Sequence, residues 1–128
     1  MYIAARVIAR HRLKAVRAQI REMGFDVSST WLDVAKDYND PNDTIERLMS
    51  EAARDLKEAG EAHVFIIDTL DESPTGGREV ELGYFIRRME TDPKLKFWRV
   101  GPWRNLFHHQ ASQMFTDWDE ALAFLRRY

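Results

Sequence analysis

The chain has 128 residues and a formal net charge of −2, with apolar residues at 45% and aromatics at 12%. That length buries roughly two-thirds of the unfolded surface in one core, and the charge balance excludes a global basic field that would recruit nucleic acid. With no cysteine there is neither a disulfide nor thiolate chemistry, and no apolar run nears the roughly 18 residues of a membrane span or the length of a signal peptide. The expectation is one cytoplasmic domain over residues 1–128, with no nucleic-acid and no membrane partner. The basic stretches at Arg6–Arg21 and Arg87-Arg88 read as solvated helix faces.

Taken in chain order, the pattern alternates. Tyr2–Ala5 is a short apolar strand. Leu13, Val16, Ile20 and Met23 recur at helical spacing, and Gly24 supplies the C-cap. Phe25–Ser29 reads as a second strand and residues 33–44 as a polar loop long enough to serve as a lid. Asp43 or Thr44 caps a second helix whose Ile45, Leu48, Met49, Ala52 and Leu56 mark a buried stripe, and Gly60 ends it. His63–Thr69 is nearly all apolar, as suits a central parallel strand covered on both faces. A third helix follows over roughly 78–90, then a strand around Phe97–Val100, which Gly101-Pro102 breaks. After a further strand, Thr116-Asp117-Trp118-Asp119 opens a last helix with a variant capping box, carrying Ala121, Leu122 and Leu125 inward. This order predicts an α/β fold: a doubly wound, flavodoxin-like or Rossmann-like parallel sheet of five strands in the order 2-1-3-4-5, with helices on both faces and crevices at the strand C-termini.

The stretch most informative about chemistry is Pro74-Thr75-Gly76-Gly77-Arg78-Glu79-Val80-Glu81-Leu82-Gly83-Tyr84. It follows the central strand and places Glu81 in about the first turn of a helix, where free N–H groups and the macrodipole favour an anion. A carboxylate held ionised there suits a nucleophile better than an acid, and glycosidic bond cleavage uses such a group. Tyr2, on the neighbouring strand, offers a phenol to orient it, and Asp55 on the second helix can bind or protonate a leaving group. Glu79, two residues from Glu81, points to another helix face and reads as solvated. His108-His109 are adjacent and diverge, so they make a poor metal pair and suit a turn or an interface. No metal and no cofactor is expected. Trp31 and Trp103 are candidates to stack on a base.

Tyr2-Ile3-Ala4-Ala5-Arg6, Arg54-Asp55 followed by Ala62-His63-Val64-Phe65, Gly77-Arg78-Glu79-Val80-Glu81-Leu82-Gly83-Tyr84 and Gly101-Pro102-Trp103-Arg104-Asn105-Leu106-Phe107-His108-His109 together resemble the nucleoside 2-deoxyribosyltransferase family, in matching order. The resemblance implies Glu81 as the nucleophile at the anomeric carbon, Tyr2 as its orienting phenol and Asp55 as a contact to the nucleobase. It also implies Asn105 as a residue that reaches a neighbouring subunit's site, hence a homo-oligomer with shared active sites acting on a small-molecule deoxynucleoside or deoxynucleotide. Arg6 and Trp31 join the substrate-binding candidates. The position of the family's acidic sugar contact holds Thr75, and His63 stands where Asp is common. Thr75, the Gly76-Gly77 amides and Arg78 suit a phosphate, as in related hydrolases of deoxynucleoside 5′-monophosphates. Transfer of the deoxyribosyl group to another base is the leading expectation. Hydrolysis of the monophosphate and a non-catalytic nucleotide-binding module are the alternatives, while the first strand lacks the acids of a receiver and the first loop lacks the residues of a flavin site.

Overall fold

The structure is a computed structural model that describes residues 1–34 and 40–128. The expected lid therefore falls in part on residues 35–39, which lie outside the described residues. The elements are β1 (Tyr2–Ala4), α1 (Arg10–Glu22), α2 (Ile45–Glu61), β2 (Val64–Asp68), α3 (Gly77–Met89), β3 (Lys96–Val100), β4 (Gln113–Phe115) and α4 (Trp118–Leu125), with short 3-10 turns at Val7–Ala9, Thr30–Asp33 and Leu106–Gln110. Among the described residues the sheet has four parallel strands in the order β1-β2-β3-β4, not five.

The missing strand is Phe25–Ser29, which runs beside β1 without forming a ladder. Two main-chain bonds join them at Met1, whose amino group donates to the Asp26 carbonyl and whose carbonyl accepts from the Ser28 N–H, and beyond that point side chains make the connection. Ser29 Oγ accepts from the Ile3 N–H at 2.6 Å, and the Trp31 indole N–H donates to the Ile3 carbonyl at 2.8 Å. With the Ile3 groups taken by Ser and Trp side chains, the main-chain pairing begun at Met1 does not continue as a ladder, whatever the apolar content of the segment.

Adjacent strand residues point to opposite faces, so the β3 pair Phe97-Trp98 divides the core in two. On one face Phe65 stacks on Tyr2 and on Phe85 of α3, with centroids 5.7 and 5.2 Å apart, and Phe97 meets Phe65 edge-on. On the other, Trp98 meets Phe115, Phe124 and Tyr128 edge-on, beneath α4. Thr44 Oγ1 accepts from the Arg47 N–H and Gly24 takes φ +90° after α1, as the sequence predicts. The α4 cap instead sits one residue later than the Thr116–Asp119 spacing: Asp117 accepts from the Glu120 N–H and the Glu120 carboxylate accepts from the Thr116 N–H.

Two expectations about α2 fail. Its stripe is not core: Ile45 and Met49 are exposed, and only Ala59 on this helix is buried. Leu48, Ala52 and Leu56 face a cavity instead, and periodicity alone cannot tell an apolar face that meets a core from one that meets a ligand space. Nor does Gly60 stop the helix, which continues to Glu61. A side chain at Gly60 would bring its Cβ within 2.8 Å of the Tyr84 ring, so glycine is there to let α3 approach.

Gly101 has the sharper requirement. Its φ is +105°, and a Cβ would lie 2.8 Å from both the Leu70 N–H nitrogen and Thr69 Oγ1. Gly101→Ala should destabilise the fold by about 3 kcal/mol, the sum of backbone strain and a clash with backbone, measurable as a lowered urea midpoint at constant m-value.

Candidate active site

A cavity of about 960 Å³ opens at the C-terminal ends of β1 and β2. The segment after β1 gives Arg6, Arg10 and His11, the Thr30–Asp33 turn gives Trp31, and α2 gives Leu48, Glu51, Ala52, Asp55 and Leu56. The β2–α3 loop and α3 complete the wall with Ser73, Thr75, Gly77, Arg78 and Glu81. Of the residues singled out in the sequence, Arg6, Trp31, Asp55, Thr75, Gly77, Arg78 and Glu81 thus share one space. Gly76 caps α3 between Thr75 and Gly77 in a left-handed conformation, with φ +73°, and Tyr2 is fully buried beneath.

Glu81 is the fifth residue of α3, so its own N–H lies within the helix ladder and the first-turn position belongs to Glu79. The expectation of a dipole-ionised Glu81 is therefore corrected. Burial, reinforced by the carboxylates of Asp55 and Glu58, pushes its carboxyl up to about 8, and the nearby Tyr2 phenol opposes this only in part. Asp55 is raised to about 6, first by burial, with Arg54 pulling down and Glu58 and Glu51 pushing up. The Tyr2 phenol is raised far above its ordinary range by burial, then by Glu81 and Asp55. Its hydroxyl is buried and has no hydrogen bond of good geometry among the described residues. The pocket floor thus gathers acids in a poorly solvated space, where the charge on one carboxyl opposes ionisation of the next.

The cation side of the cavity is different. Neither Arg6 nor Arg10 has an ion-pair partner among the described residues, and both line the space. Arg10 and His11 carried no signal in the sequence beyond the basic run that holds them. Arg78 does not present its charge as expected for a phosphate. It is buried, its Nη1 donates to the Asp68 and Asp71 carbonyls, and its Nε pairs with Glu79.

Asn105 lies outside the large cavity, in a smaller cleft of about 300 Å³ shared with Glu72, Ser73, Arg78, Glu79 and Arg104. Its side chain caps the 3-10 turn by accepting from the Phe107 N–H, and its amide donates to Glu79. His108 is fully buried there. The Arg104 N–H donates to His108 Nδ1 at 3.0 Å, which leaves Nε2 protonated and donating to Glu79 at 3.0 Å. Glu79 is therefore no solvated carboxylate: burial opposes its charge, but hydrogen bonds from His108, Asn105 and Arg78 prevail and hold it down to about 2. Sequence spacing placed Glu79 on a different face from Glu81, and the missing signal was the partner, 29 residues away.

Among the described residues no cluster of three His, Asp or Glu side chains is arranged to hold a metal ion, and no helix is long and apolar enough to cross a membrane. The chain is similar over its full length to the structure of the Clostridium botulinum CMP N-glycosidase BcmB, with a TM-score of 0.58, 14% identity and 100% of both chains covered. No protein-family model and no curated protein sequence matches it. At that identity the likeness defines the fold, an α/β parallel sheet flanked by helices.

The Glu79 contacts carry a stability signature. An ionised group held below its unfolded value stabilises the native state above about pH 4.5, and that contribution is lost as pH falls toward 2. Glu79→Gln should lower stability by about 2 kcal/mol at pH 7, with the gap closing as urea midpoints are followed down from pH 4.5.

Proposed function

We propose that the protein cleaves the N-glycosidic bond of a nucleoside 5′-monophosphate, with Glu81 as nucleophile and water as the acceptor. The observation that carries this is the cavity itself, whose wall holds a buried glutamate beside a second acid and a phenol, together with two arginines, Arg6 and Arg10, that have no ion-pair partner among the described residues. A sugar whose C1′ faces Glu81 would set its base against Asp55 and Trp31, along the apolar face of α2. Its 5′-phosphate would lie between Arg6, Arg10 and the Thr75–Gly77 loop, whose Gly77 amide begins a helix. The fold likeness to a CMP N-glycosidase supports the same class of reaction.

Between about pH 6 and pH 8 the Glu81–Asp55 pair holds one proton. In the productive arrangement it resides on Asp55. Glu81 then forms an ester bond to C1′ as the C1′–N bond breaks, and Asp55 gives its proton to the departing base. Water next attacks C1′, its proton goes to Asp55, and the ester bond breaks to return the Glu81 carboxylate and a free sugar 5-phosphate. Tyr2, buried beside Glu81, donates to whichever oxygen carries charge in each step. A second base in place of water would give transfer instead, the reaction of the resembling family.

The test is to incubate the protein with CMP, dCMP and the matching nucleosides, with and without a different free base, and to chromatograph the products. Free base plus sugar phosphate is expected. Base exchange would favour transfer, and no product from any of them would reject the enzyme. Glu81→Gln should lose about 1,000-fold or more in kcat/KM.

The pH profile of kcat/KM should be a bell, because the active pair carries a single proton, with limbs near 6 and 8. Asp55→Asn removes the alkaline limb, which reports loss of the proton from the acid, and leaves a single rise with the ionisation of Glu81, moved below about pH 8 because a neighbouring carboxylate is gone. A flat profile from pH 5 to 9 would rule out the shared proton.

A further inference from the structure

Four consecutive main-chain carbonyls leave the end of β2, and two arginines take all of them. Arg78 Nη1 donates to the Asp68 carbonyl at 3.0 Å and to the Asp71 carbonyl at 2.7 Å. Arg104 spans the two between, Nε to Thr69 at 3.1 Å and Nη2 to Leu70 at 3.1 Å. The arginines are joined behind the loop. Arg78 Nε pairs with Glu79, Glu79 accepts from His108 and Asn105, and His108 accepts the Arg104 N–H. The Thr69 hydroxyl donates to the Pro102 carbonyl at 2.6 Å, fastening the same segment to the start of the 102–110 stretch.

This strap holds the chain directly before Ser73, Thr75 and Gly77, which line the large cavity, while Arg104 itself does not reach that cavity. Holding the carbonyls in place limits where Ser73, Thr75 and Gly77 can sit along the cavity wall, because the path from Asp71 to Gly77 is only six residues. We propose that Arg104 is a positioning residue that shapes the phosphate subsite through the 68–72 segment, and so sets the preference for a nucleotide over a nucleoside; this rests on the functional reading above. A planar fork reaches two adjacent carbonyls at once, which a lysine ammonium on a flexible stem does not reproduce. The Glu72 contact of Arg104 is exposed and does not contribute to the strap.

Binding rather than turnover gives the test. Calorimetric titration of CMP and of cytidine into the Glu81→Gln protein is compared with the same protein also carrying Arg104→Gln or Arg104→Lys, with the melting temperature recorded for each. Both Arg104 variants should weaken CMP binding about 10-fold and leave cytidine binding within about 2-fold, with lysine failing to rescue. Arg104→Lys keeps the charge and the stem, so it remains informative should the glutamine variant unfold. Equal weakening for both ligands means a general structural role and overturns the proposal, as does unaltered CMP binding. If the parent protein binds neither ligand, the functional reading itself fails and this inference falls with it.

Discussion

The carboxylate of Asp68, fully buried at the end of β2, is the point on which the rest of the molecule is hung. The Trp118 indole N–H donates to it at 2.7 Å, the Leu70 N–H at 3.0 Å, and Arg12 lies 3.2 Å away. Those partners belong to α4, to the loop before the site and to α1, so one side chain ties the far layer of helices to the strand that carries the cavity. A buried carboxylate without such donors would be strongly unfavourable, and with them it becomes specific about where each partner sits. The backbone carbonyl of the same residue begins the row taken by Arg78 and Arg104. Two opposite requirements thus meet at one residue: a side chain that must be given protons, and a main chain that must be given donors.

The acids of the cavity obey the reverse logic. Glu79 is surrounded by donors and stays charged at little cost, whereas Glu81 has Asp55 and Glu58 for neighbours. A carboxyl whose native value stands above its unfolded one stabilises the fold at low pH and loses that contribution as pH rises through about 8. The molecule therefore tolerates an unfavourable group in its most concave region while supporting the adjoining helix turn with a favourable one. Two glutamates separated by a single residue, Glu79 and Glu81, are pushed in opposite directions by nothing more than which side of α3 they face.

Much of this was legible in the sequence. The helices, the cap at Thr44 and the central strand follow from periodicity and capping chemistry, while the rule for parallel sheets together with the family resemblance pointed to Tyr2, Asp55 and Glu81 at one end of the sheet. What was not legible depended on contacts between distant residues. The Phe25–Ser29 segment had the composition of a strand, but past Met1 the Ser29 and Trp31 side chains take the bonds that a ladder would use. The α2 stripe had the spacing of core residues but faced a cavity. Arg78 had the position of a phosphate ligand, yet the carbonyls of its own preceding loop claimed it. The sign of the Glu81 shift required knowing that α2 brings two more carboxylates alongside.

The side-chain stitching of β1 has a consequence for how the molecule behaves among its copies. An outermost strand ordinarily offers a row of open donors and acceptors, a template onto which another chain can add. Here both backbone groups of Ile3 are occupied, by Ser29 and by Trp31, and the Met1 carbonyl is taken by Ser28. The short strand is closed to intermolecular pairing without a further strand, a bulge or a barrier of charge. The same tryptophan that closes it also forms a wall of the cavity, so the resistance of this edge to self-assembly and the shape of the ligand space are two properties of one indole ring.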